Sequence, residues 1–179
     1  MQAPQFNLTF NSCPATAACA SPLPGTWYYT AGCVNDPFAQ ARTACAGATT
    51  ANVTGTGRGC VTFGANTVTR RFSTSITGTI VIPASCLLGG ALTCTQVQTA
   101  LRAYYPNATC TASAGAGCDC TATIDTPITE NASPYTNSAG VVTVAAGTYN
   151  TCVSPAGTLK YTRTGGQSLE DGQFTLMLQ

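Results

Sequence analysis

Histidine is absent from this sequence, and lysine and tryptophan occur once each. Charged side chains make up 7% of the 179 residues, against about 25% in an ordinary globular domain. Without histidine, Ser-His-Asp and Cys-His catalytic arrangements are excluded. Seven Lys and Arg against six Asp and Glu, a net charge of +1, exclude a basic nucleic-acid-binding face and disorder driven by charge. No apolar run approaches the roughly 18 residues of a membrane helix. No export signal is visible either: Met1-Gln2-Ala3-Pro4 has neither a basic start nor an apolar stretch. Met1 is expected to stand in place of a removed signal.

Cysteine, by contrast, is abundant. Eleven Cys are too many for a reducing cytosol unless metal sites account for them. The tightest pair is Cys118-Asp119-Cys120, without a second half-site, so no metal or cofactor is expected. Structural disulfides place the protein in a secreted, periplasmic or cell-surface setting. Pairs closing short loops are expected: Cys13 with Cys19, Cys33 with Cys45, and Cys86 with Cys94. Eleven is odd, so one thiol is either buried and free or a link to another chain.

Period-two alternation dominates the chain. Phe6, Leu8 and Phe10 alternate with polar residues inside a Pro- and Ala-rich lead-in, residues 1–24. Trp27, Tyr29, Ala31 and Cys33 share one face of a strand opening at Gly25. A loop is expected from Asn35 to Gly57, then a strand at Cys60–Phe63 and a turn at Gly64-Ala65-Asn66. From Thr67 to Ile82 the even positions read Val68, Arg70, Phe72, Thr74, Ile76, Gly78, Ile80 and Ile82, while the odd ones are mostly Thr and Ser. That is a long strand with one apolar face, and Gly78 marks a bulge or bend. One helix is expected at about 93–105, capped by Thr93 and stopped by Pro106. Strands return from Cys120 to Leu178, joined by Gly-containing turns in an antiparallel meander.

The count is about eight strands with one short inserted helix. This predicts an all-β, disulfide-rich, antiparallel up-and-down barrel over residues 25–179, closure being how such meanders remove their edges. Gly25-Thr26-Trp27 resembles the Gly-x-Trp start of lipocalins and other calycins, and the layout is similar to lipocalin-like domains of exported bacterial proteins and lipoproteins. The resemblance implies that Trp27 plugs one barrel end and that Arg163 packs over it, a cation–π contact of about 0.5–2 kcal/mol.

Candidate ligand-binding residues of the barrel interior are Tyr29, Phe63, Arg70, Phe72, Tyr149 and Tyr161. Arg70 falls on an apolar face, where an isolated charge is very costly. It either pairs with a carboxylate such as Glu130 or anchors an anionic ligand. Asp119, Asp125 and Glu130 are the carboxylates available for acid–base work, but the expected protein is not an enzyme. Two functions are open. The first is a non-enzymatic binding module for a small apolar or amphipathic ligand. The alternative is a structural or surface-assembly subunit that self-associates through the strand at Phe6–Phe10 or the odd cysteine. The Thr-rich strand faces are a weaker pointer, to ice binding.

Overall fold

The computed structural model describes residues 3–164 and 172–179. The expectation that Met1 stands in place of a removed signal falls outside them. In chain order the elements are β1 (Gln5–Phe10), β2 (Gly25–Val34), α1 (Ala39–Ala44), β3 (Thr49–Phe63), β4 (Thr67–Ile82), a 3-10 segment (Ala84–Gly90) and α2 (Cys94–Leu101). There follow β5 (Thr109–Ala112), β6 (Cys118–Pro134), β7 (Thr136–Ser138), β8 (Val141–Val144), β9 (Gly147–Val153), β10 (Thr158–Thr164) and β11 (Gly172–Leu178).

The strands form one sheet in the order β5-β6-β4-β3-β1-β2-β11-β10-β9-β8-β7, and it is not closed. Eleven strands therefore replace the expected eight, and pairing stops at two short edges, β5 and β7. Edges of four and three residues offer little template for further pairing. The other departure is β1, which pairs parallel with β2 and antiparallel with β3. An up-and-down meander contains no parallel pair.

By contacts the chain divides into two compact units. One comprises residues 1–35, 56–74 and 126–179, the other 36–55 and 75–125. Strands β3, β4 and β6 each contribute one part to each unit.

In the first unit the alternation of β4 places Val68, Arg70, Phe72 and Thr74 in the interior. An aromatic cluster fills it. Tyr29 lies 4.4 Å from Phe72, Phe72 5.4 Å from Phe174, and Phe174 5.3 Å from Tyr161, between ring centroids. Such pairs contribute about 0.5–1.5 kcal/mol each beyond their buried area. Two disulfides, Cys13–Cys33 and Cys19–Cys152, close within this unit. Cys60 on β3 is the free thiol.

In the second unit Ile76, Gly78, Ile80 and Ile82 continue the buried face of β4. Gly78 lies within the unbroken alternation of β4 and makes a socket. A Cβ there would stand 2.7 Å from Cε2 of Phe38, whose side chain is fully buried. The segment read as a loop holds α1 and the first half of β3. Six residues of helix were too short for helical periodicity to appear. Arg42 of α1 is ion-paired with Asp36. Helix α2 is shorter than expected. Thr93 caps it in a reciprocal capping box with Gln96, satisfying two orphan donors, and the chain leaves the helix after Leu101. Three disulfides close here: Cys45–Cys86, Cys94–Cys118 and Cys110–Cys120.

All six cysteines named from the sequence are thus disulfide-bonded, but the short-loop pairings are corrected. Cys13 pairs with Cys33 rather than Cys19, Cys45 with Cys86 rather than Cys33, and Cys94 with Cys118 rather than Cys86. One bridge follows the sheet ladder, Cys110 and Cys120 standing opposite each other in β5–β6, and each of the other four has at least one cysteine outside the strands. Five disulfides mark an oxidising environment. Among the described residues no helix is long and apolar enough to cross a membrane.

Tyr105 of the second unit packs edge-on against Phe38 at 5.4 Å. Burial pushes its phenol above the ordinary value near 10, and backbone groups at Ala41 and Gln40 and the charge of Arg42 oppose the shift. A folded-state pKa above the unfolded one means that the folded protein holds the proton more tightly. The associated stability is fully present below about pH 10 and is lost as pH rises through the folded value. Tyr105→Phe, made with Cys60→Ser to prevent thiol exchange, is expected to flatten the alkaline fall in urea-unfolding stability. An unchanged fall would assign it to another group.

Candidate functional site: an apolar cavity with one ion pair

A cavity of about 50 Å³ lies within the first unit. Alternation on six strands and one strand end builds it. β2 supplies Tyr29, β3 supplies Val61 and Phe63, and β4 supplies Val68 and Arg70. The opposite wall is Val142 and Val144 of β8, Tyr149 and Thr151 of β9, and Leu159 and Tyr161 of β10, with Glu130 from the end of β6. Successive lining residues on a strand are two apart because only every second side chain faces inward.

The lining is apolar apart from a few placed groups. Arg70 Nη2 donates to Glu130 Oε1 at 2.7 Å, the arginine side chain 8% exposed and the glutamate 26%. Arg70 is thus held deep, and its partner reaches solvent. The hydroxyls of Tyr29 and Tyr161 share a buried hydrogen bond at 3.0 Å. Thr151 Oγ1 donates to the Gly140 carbonyl at 2.9 Å.

Tyr29, Phe63, Arg70, Tyr149 and Tyr161, all named from the sequence, come together here. Phe72 does not line the cavity and backs Tyr29 in the aromatic cluster. Sequence reasoning missed the aliphatic residues. Val61 and Leu159 carried a usable signal, since each lies two residues from a named aromatic on its own strand. Val142 and Val144 carried none beyond alternation, because strand order alone brings β8 into the wall.

Trp27 and Arg163, expected to meet, are each engaged elsewhere. Trp27 Nε1 donates to the Leu23 carbonyl at 2.8 Å. Arg163 Nη2 donates to the Ala146 carbonyl at 2.9 Å and lies against Gly147. The backbone thus takes up the indole N–H of Trp27 and one guanidinium nitrogen of Arg163, whose Nε is buried without a hydrogen-bond partner among the described residues.

The three carboxylates considered for acid–base work all lie on β6, with Glu130 engaged by Arg70. Among the described residues no cluster of three or more His, Cys, Asp or Glu could hold a metal ion. The structure therefore defines a disulfide-rich, predominantly β protein with a small apolar cavity. No protein family, curated protein or solved structure matches this chain.

Proposed function

We propose that this chain is a non-enzymatic exported binding module, secreted, periplasmic or cell-surface, that takes a small apolar or amphipathic ligand into the cavity of the first unit. The observation that carries this reading is the lining itself: aromatic and aliphatic walls converge on one ion pair. Ligand sites combine apolar walls with a few polar groups that fix orientation. The lipocalin-like resemblance of Gly25-Thr26-Trp27 belongs to the same reading, in which strands wrap a ligand as a barrel does. Fold analogy alone would be a weak warrant.

Size narrows the ligand. Pockets that enclose drug-sized molecules measure about 300–1,000 Å³, and this one about 50 Å³. The ligand enters by one slim apolar end, and its head meets Arg70 and Glu130. A carboxylate head would compete with Glu130 for the guanidinium through a charge-assisted hydrogen bond.

Titration calorimetry with octanoate and octanol tests this. Octanoate is expected to bind more tightly than octanol, and Arg70→Met to weaken octanoate by about tenfold, the size of one hydrogen bond to a charged group. Native mass spectrometry of protein from its own host is expected to show an adduct released on denaturation. Absence of both binding and adduct would overturn the proposal.

A further inference from the structure

Strand β1 sits in a purpose-shaped gap. β2 and β3 pair directly only from Gly25–Phe63 to Tyr28–Cys60. Beyond that point they part, and β1 fills the space. Its Gln5, Phe6 and Asn7 pair with Arg58, Gly57 and Thr56 of β3, and its Leu8, Thr9 and Phe10 pair with Gly32, Cys33 and Val34 of β2. Two glycines make the sockets. A Cβ on Gly57 would stand 2.6 Å from the Phe6 ring, and one on Gly32 would stand 2.7 Å from Leu8 Cδ2. Phe6 and Leu8 are both buried. Removing β1 would leave two strand edges unpaired and two apolar sockets open, and buried backbone groups without partners are costly.

The connection leaving β1 is tight. Asn11 and Ser12 both have positive φ, 64° and 52°, an uncommon conformation for non-glycine residues and here repeated in succession. Cys13 follows at once and is bonded to Cys33. Straightening Asn11–Ser12 relieves both residues but carries β1 out of its own gap, since the disulfide holds the downstream chain in place. Short hinges under strain favour exchange of an element between identical chains.

From the sockets and the hinge together we propose that β1 exchanges between copies of this chain, the gap of one molecule receiving β1 of a second. The occupant is a second copy because the sockets are cut for the six residues Gln5–Phe10 themselves. This self-association is independent of the cavity and its ligand.

The test uses the register pair of exposed Asn7 and half-buried Thr56, which leaves Phe6 and Leu8 untouched. Residues opposed in an antiparallel ladder are close enough for a disulfide. One chain carries Asn7→Cys and a separately tagged chain carries Thr56→Cys, both with Cys60→Ser. They are mixed, incubated at high concentration and oxidised. The expected product is a mixed covalent dimer at about twice 18.2 kDa on a non-reducing gel. Adding Asn11→Gly and Ser12→Gly, which makes the hinge comfortable when closed, is expected to lower its yield several-fold. A chain carrying both Asn7→Cys and Thr56→Cys controls for folding and for reactivity of the pair. If that chain cross-links within itself while the mixture gives no mixed dimer, the exchange is overturned. A yield indifferent to the hinge glycines would overturn the role of the hinge.

Discussion

Replacing both Cys19 and Cys152 with alanine is expected to cost about 5 kcal/mol, the loop-entropy value for a closure of this length. The bridge spans 133 residues. It ties a segment without regular structure to β9, and neighbouring contacts depend on it: Cys19 N donates to the Thr151 carbonyl at 3.0 Å, and Val153 N donates to Ser21 Oγ at 3.1 Å. Removing the Cys110–Cys120 bridge, which spans only 10 residues, should cost less, about 2–3 kcal/mol. Non-reducing calorimetry of the two double-alanine variants, each with Cys60→Ser, measures the difference. At roughly 2–4 °C per kcal/mol for a chain of this size, the long-loop variant is expected to melt about 10–20 °C below the parent and the short-loop variant about 4–12 °C below it. Equal losses would show that loop closure is not the source of the stabilisation.

The second large effect is an asymmetry within one ion pair. Glu130→Gln removes the carboxylate that accepts from Arg70 Nη2 in an apolar wall, and should destabilise by about 3 kcal/mol. Arg70→Met leaves a carboxylate that already reaches water, and should cost only about 1 kcal/mol. Arg70→Met combined with Glu130→Leu is expected to cost less than the sum of the two single changes, since an apolar pair removes the desolvation cost of their ion pair. Urea denaturation of all four proteins closes the cycle. Additive single effects would mean that the two residues do not share an interaction.

The parts of this molecule legible in the sequence are those governed by neighbours along the chain. The even positions of β4 are buried without exception, because alternation is a local property of extended backbone. Thr93 and Gln96 form their capping box for the same reason. The same parity argument named Glu130 as a partner for Arg70, and five of the six aromatic and cationic residues chosen by it line the cavity. What was not legible depends on strand order. The seat of β1 between β2 and β3 and the wall from β8 follow from pairing between distant segments, and the partners of the cysteines from how the folded segments pack. Gly78 illustrates the limit: a glycine in a strand reads as a bend, and only packing in three dimensions reveals that Phe38 fills its place.

The scarcity of ion pairs has a consequence for the waters this protein can inhabit. Among the described residues there are two, Arg42 with Asp36 and Arg70 with Glu130, and the second is largely withdrawn from mobile ions. Dissolved electrolyte acts on exposed charges, screening them over about 10 Å at 0.1 M and about 3 Å at 1 M. Among the described residues it finds one solvent-accessible pair to screen, Arg42 with Asp36. A fold held mainly by cystine bridges, aromatic contacts and sheet hydrogen bonds is expected to lose little electrostatic support between a dilute stream and a brine, and its net charge of +1 leaves little self-repulsion to be relieved at either extreme.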